Sequence, residues 1–148
     1  MCPAQPGCSV GRAQVVAAAR KWIGIPFAHI GRNEHAVDCA GLVIAIAHEL
    51  RLSDFDMRSY NQTPDGVTMR ALCDQHMVPK DGDPEPGDVL LMRFKRNPQH
   101  LAIVGDYPVP GQVSIIHAHR GAMKCVEHIL NQEWRERIVR VYTIPGVV

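Results

Sequence analysis

The 148-residue sequence carries almost no net charge, +1 from 16 basic and 15 acidic side chains. It therefore lacks the single-signed field that would gather nucleic acid or an anionic membrane surface. Basic residues cluster only at Arg93-Phe94-Lys95-Arg96 and Arg135-Glu136-Arg137, and both clusters are expected as solvated surface. No apolar run reaches the roughly 20 residues that span a bilayer. The opening MCPAQPGCSV lacks the basic-then-apolar pattern of a secretory signal. Synthesis in the cytoplasm is the expectation, with neither a nucleic acid nor a membrane as partner. The five cysteines, Cys2, Cys8, Cys39, Cys73 and Cys125, are odd in number and contain no C-x-x-C. That argues against a zinc knuckle, a redox motif or a disulfide framework, with a Cys2–Cys8 pair left open. Internal repeats and low-complexity segments are also missing.

The length suits one domain with a proper core, and 46% apolar with 21% charged residues is ordinary for a globular chain. Residues 1–10, rich in Pro and Gly, read as a loose leader, and 11–148 as a single domain. From Gly11 the pattern is helical, with Val15, Ala19, Trp22 and Ile23 on one face and Gly24-Ile25-Pro26 as the stop. The stretch FAHIGRNEHAV reads as loop. A second helix is predicted from the N-cap Asp38 to about Leu50, apolar all round and therefore central. A third covers roughly Val67 to His76. After the turn-rich PKDGDPEPGD (79–88) come short apolar runs, Val89–Phe94, His100–Tyr107, Val113–His119, Lys124–Leu130 and Ile138–Thr143. Helices first and antiparallel strands second predict an α+β fold, the N-terminal helices packed on a small curved sheet or half-barrel.

Within VDCAGLVIAIAHEL (37–50), Cys39 falls in the first helical turn. Unpaired N–H groups and the positive end of the helix dipole favour a thiolate there, so a cysteine in this position can have a lowered pKa and act as a nucleophile. The same N–H groups can hold an oxyanion, and Gly41 permits a close approach. A cysteine on an apolar segment is also commonly a small core hydrophobe, so position alone leaves both roles open. A thiolate nucleophile works with a histidine and a group that orients it. His100 opens HLAIV and His117 lies in SIIHAHRG. Neighbouring antiparallel strands would bring these two together, the first facing Cys39 and the second orienting the first. His119 shares a face with His117 and is the alternative third member. His35, His48, His76 and His128 read as surface or core fillers.

DCAGLV (38–43), PGDVLLMR (86–93), HLAIV (100–104) and IIHA (115–118), in that order, resemble the NlpC-type cell-wall cysteine peptidases of bacteria and their phages. PFAHIGR (26–32) and YNQTPDG (60–66) resemble the phage tail-associated branch, and the likeness runs from Arg12 to Tyr142. The resemblance implies a papain-like fold and a Cys-His-His triad. On this sequence Cys39 becomes the nucleophile, His100 the general base and acid, and His117 the residue that orients His100. It further implies hydrolysis of an amide in peptidoglycan stem peptides, commonly between D-glutamate and a diamino acid, and a role for Asp38 in binding the substrate's free amine. Where many relatives carry a tyrosine after a proline, this chain has Phe27. The ring can wall the cleft but brings no hydroxyl, and His29 is the candidate substitute donor. No metal or organic cofactor is required. Delivery to the wall would then come from a virion tail, a pore or lysis, with tail proteins as further partners.

Three other readings compete. His100, His117, His119 and Cys39 are ligand types that zinc prefers, though only the two histidines of H-A-H are close in sequence. A hydrolase fold can also survive as a silent tail-assembly module, and the same fold can act on a different amide.

Overall fold

A computed structural model describes residues 9–58, 60, 65–106, 109 and 111–148. Cys2, Cys8 and all but the last two residues of the expected leader lie outside them. Val10, the last leader residue, is buried and bridges Val147 in parallel.

Helix α1 (Arg12–Arg20) buries Val15, Val16, Ala18 and Ala19, and its first N-terminal donor, Gly11 N–H, is met by the Gln14 side chain at 2.8 Å. The chain leaves it through Gly24, at φ 93°. The stretch expected as plain loop forms a two-stranded ribbon, β1 (Arg32–Asn33) and β2 (Ala36–Val37). Two-residue strands carry no readable alternation, which is why they were not expected. Helix α2 (Cys39–Glu49) follows, and α3 (Thr68–His76) lies where the third helix was predicted.

The strands β3 (Val78–Lys80), β4 (Val89–Phe94), β5 (Asn97–Gly105), β6 (Ser114–His119), β7 (Lys124–Ile129) and β8 (Ile138–Thr143) form one sheet. Its order is β3-β8-β4-β5-β6-β7, antiparallel throughout. Strand β3 enters the segment read as turn, and β5 begins three residues before the predicted His100, because Asn97 and Pro98 pair across the hairpin with Phe94 and Arg93. A single helical turn, α4 (Gln132–Arg135), precedes β8 and is capped by Asn131.

The central strands β4, β5 and β6 are buried on both faces over most of their length. Leu91, Leu101, Ile103, Ile116 and Ala118 point to α1 and α2, in a cluster that also contains Leu42 and Ile46. Leu90, Met92, Ala102, Val104 and Ile115 point the other way, into a second cluster closed by Leu130 and Trp134. Strand alternation thus sorts the apolar run Leu101–Val104 of β5 alternately to the two clusters. Asp88, fully buried at the start of β4, is held by Arg12 at 2.7 Å, Lys80 at 2.7 Å and the Glu85 N–H at 2.8 Å. It ties α1 and the edge strand β3 to the start of β4. Among the described residues no helix is long and apolar enough to cross a membrane.

Candidate active site

Asp38 caps α2 by accepting the Gly41 N–H at 2.7 Å on Oδ1, while Oδ2 accepts the Ile30 N–H at 2.7 Å and the Tyr60 hydroxyl at 2.5 Å. Gly41 lies so close to the loop before β1 that a Cβ there would sit 2.0 Å from the Gly31 carbonyl oxygen. With the Gly41 N–H taken, the N–H groups of Cys39 and Ala40 have no oxygen acceptor among the described residues and face the Cys39 thiol itself. They form a donor pair beside the thiol.

The half-buried Cys39 packs against the helix-side cluster, and its thiol meets the Gln99 carbonyl oxygen of β5 at 4.0 Å. Burial, and then the negative charge of Asp38, push the thiol up to about 12, while backbone N–H groups of Leu101 and Ala40 pull it down. The lowering that a helix N-terminus can give is thus outweighed at this thiol. The dipole of α2 is present, but a carboxylate one residue away and loss of water outweigh it.

His100 pairs with Met92 across β4–β5 and faces the second cluster with Ala102. Its ring therefore lies on the other side of β5 from the helix-side cluster that holds Cys39. Among the described residues no hydrogen bond joins Cys39 to an imidazole. The expected meeting of His100 and His117 does occur, with His100 Nε2 and His117 Nδ1 2.7 Å apart. His119 instead stacks on His117, centroids 5.1 Å apart at 11°, and makes no hydrogen bond to His100.

The chain of imidazoles continues. His117 Nε2 lies 2.8 Å from His128 Nε2, and His128 Nδ1 lies 3.0 Å from the Ile129 carbonyl oxygen. His128 was expected as filler. Its membership depends on the β6–β7 register, which opposes Ile115 to His128 and leaves no mark in either strand alone. Burial, followed by the charge of His119, lowers His100 to about 3; burial, followed by the charges of His100 and His128, lowers His117 to about 2. Phe94, Trp134 and Arg137 surround these rings. Arg137 is thus not simply solvated: it lies over Trp134, with its Nε buried and, among the described residues, without a hydrogen-bond partner.

Phe27 bridges Val37 and packs against the helix-side cluster beneath Arg120, whose Cζ is 5.6 Å from its ring centre. His29 donates from Nε2 to the Tyr60 carbonyl at 3.1 Å. The Tyr60 hydroxyl also accepts from Arg32 at 2.8 Å, and Arg32 pairs with Asp56. Sequence reasoning missed Arg32 and Tyr60 as neighbours of Asp38. A cavity of about 370 Å³ lies beside the site, lined by Ala40, Gln99 and Tyr60 and by apolar side chains of α2 and α3 such as Ile44 and Met69. Among the described residues no group of three or more His, Cys, Asp or Glu side chains is arranged to hold a metal ion.

The NlpC/P60 family model matches residues 24–143. No curated protein matches the chain significantly. Among solved structures, the NlpC/p60 domain of the peptidoglycan hydrolase SagA superposes with a TM-score of 0.59 at 18% identity, covering 91% of this chain and 100% of that one. An NlpC/P60 family protein from Bacillus cereus gives 0.63 at 16% identity, covering 90% of this chain and 40% of its own. An N-acetylmuramoyl-L-alanine amidase from Bacteroides uniformis gives 0.59 at 14% identity, with 90% and 98% covered.

Proposed function

Because the chain belongs to the NlpC/P60 family and has its papain-like α+β fold, we propose that it hydrolyses an amide in peptidoglycan stem peptides with Cys39 as nucleophile. The observation that carries this reading is the setting of Cys39. It begins α2 next to two N–H groups that no oxygen of the described residues accepts from, and its thiol meets β5 at Gln99, the residue before His100. His100 is the general base and His117 the residue that orients it.

The resting thiol is neutral and the His100 ring faces away from the cluster that holds Cys39, so the proposed reaction requires substrate entry to bring the two within reach and begins with proton transfer from Sγ to His100. The thiolate attacks the scissile carbonyl, and the N–H groups of Cys39 and Ala40 hold the oxyanion. His100 returns the proton to the leaving amine, and water resolves the acyl-enzyme. The bond proposed is that between D-glutamate and the diamino acid, and the setting proposed is a phage or prophage tail, with tail proteins as partners and delivery through the virion, a pore or lysis. Asp38 spends three acceptor contacts inside the protein, leaving one carboxylate lone pair for a substrate amine.

A second reading, a catalytically silent assembly module on the same fold, draws on the thiol pushed up to about 12 and the lack of a Cys39–imidazole hydrogen bond among the described residues. Incubation of purified peptidoglycan with wild type and Cys39→Ala separates the two. Fragments released by wild type alone support the hydrolase.

A further inference from the structure

The hydrogen bonds of the imidazole chain determine where each proton sits. A carbonyl oxygen only accepts, so His128 must donate from Nδ1 to Ile129. In neutral His128 the other nitrogen, Nε2, is then a bare acceptor, and His117 must donate to it from Nε2. That leaves His117 Nδ1 as acceptor, so His100 donates from Nε2 and its Nδ1 is bare. One main-chain carbonyl on β7 thereby makes His100 a base at the nitrogen not used by His117.

Adding one proton at His128 Nε2 reverses every link. His128 then donates to His117 Nε2, His117 donates from Nδ1 to His100 Nε2, and neutral His100 carries its proton on Nδ1. The same chain thus has a base form and an acid form, differing by one proton whose charge resides on His128. Of the three rings, His117 is fully buried and His100 is 4% exposed, whereas His128 is half-buried. A cation is least costly at the ring with most water.

We propose that His128 is a positioning residue at the end of a three-imidazole proton relay, setting the tautomer of His100 and taking the charge displaced by the thiol proton. This rests on the hydrolase reading above for its catalytic meaning. The transfer balances: Sγ–H gives its proton to His100 Nδ1, the His100 Nε2 proton moves to His117 Nδ1, and the His117 Nε2 proton moves to His128 Nε2. The products are the Cys39 thiolate and the His128 imidazolium. When the leaving amine takes the Nδ1 proton of His100, the three shifts run backwards.

His128 is faced by His117 from β6 and Trp134 from α4. The other cationic groups of this face are His119, Lys124, which opposes it across β6–β7, and Arg137, which pairs with Glu133 at 3.5 Å. Glu127, next in sequence, is turned to the helix side, where it binds Arg20.

The test is nitrogen-15 NMR of the histidine rings in wild type and His128→Gln as the pH is lowered from neutral, with kcat and KM on peptidoglycan alongside. Wild-type His100 is expected to pass from the Nε2–H to the Nδ1–H tautomer, remaining neutral, as His128 gains its proton. Glutamine can accept from His117 but cannot take the proton, so His128→Gln holds His100 as Nε2–H throughout. Its kcat falls about tenfold or more with KM unchanged. A His100 tautomer that ignores the titration of His128 in wild type overturns the proposal, as does one that still switches in His128→Gln. A kcat within about twofold of wild type, in a protein that does hydrolyse the wall, overturns it as well. The tautomer readout stands by itself if wild type releases no fragments, so failure of the relay and failure of the hydrolase reading are distinct.

Discussion

Tyr60 donates its hydroxyl to Asp38 at 2.5 Å, from a segment 22 residues beyond the residue it bonds. A tyrosine hydroxyl, absent at Phe27, thus reaches the residue before Cys39 from downstream. His29, the expected substitute donor, spends its Nε2–H on the Tyr60 carbonyl and so helps to hold that hydroxyl in position.

Tyr60→Phe removes one acceptor contact of Asp38 and leaves the Gly41 and Ile30 N–H bonds intact. The expected loss of stability is about 1 kcal/mol, with a raised KM as the segment bonded to Arg32 and His29 loosens. Thermal unfolding and steady-state kinetics of the variant check both effects.

The free thiol of Cys39 is expected to react slowly with iodoacetamide. Burial and Asp38 push it up to about 12, so the alkylation rate should climb about tenfold per pH unit through pH 9 without a plateau. Asp38→Asn keeps an oxygen for the cap and removes the charge, and should speed alkylation at pH 8. A wild-type plateau near pH 8.5 contradicts the burial argument.

His117 bonds to His100, and His119 only stacks against His117. His117→Ala is therefore expected to lower kcat by about a hundredfold, and His119→Ala by less than about tenfold. The reverse order would move the orienting role to His119.

Asp88 serves structure. Burial alone would raise its carboxyl, but hydrogen bonds from Arg12, Lys80 and the Glu85 N–H hold it below the usual carboxylate range. Its contribution is present above the unfolded value of about 3.9 and is lost as pH falls through the lower folded value. Asp88→Asn leaves Arg12 and Lys80 without their shared partner and should cost about 3 kcal/mol at pH 7. Urea unfolding at pH 7 and below pH 4 should show the gap between variant and wild type closing in acid.

Helices α1, α2 and α3 and strands β4 and β8 were legible because each is an apolar pattern several residues long, bounded by glycine, proline or a cap. Ribbon β1–β2, strand β3 and helix α4 are too short to show a period, and α4 exists because Asn131 caps a single turn. Cys39, His100 and His117 come from motif order; the structure brings His100 to His117, as adjacent strands implied, and does not join His100 to Cys39 among the described residues. The part that misled was electrostatic. A helix N-terminus could be read from sequence, but the burial that reverses its effect on Cys39 depends on how α2 docks against Gln99 and Leu101 of β5. His128 and Trp134 entered the site through the β6–β7 register and the turn of α4, which are tertiary facts. The side of β5 on which His100 points was equally out of reach, because alternation sorts residues into two sets without saying which set faces the helices.

The most direct measurement is the digestion of purified peptidoglycan by wild type and Cys39→Ala at equal concentration, with soluble fragments identified by mass. Thiol-dependent amide hydrolysis predicts stem-peptide fragments from wild type alone, with masses that place the cut between D-glutamate and the diamino acid. Fragments from both proteins, or from neither, would contradict it.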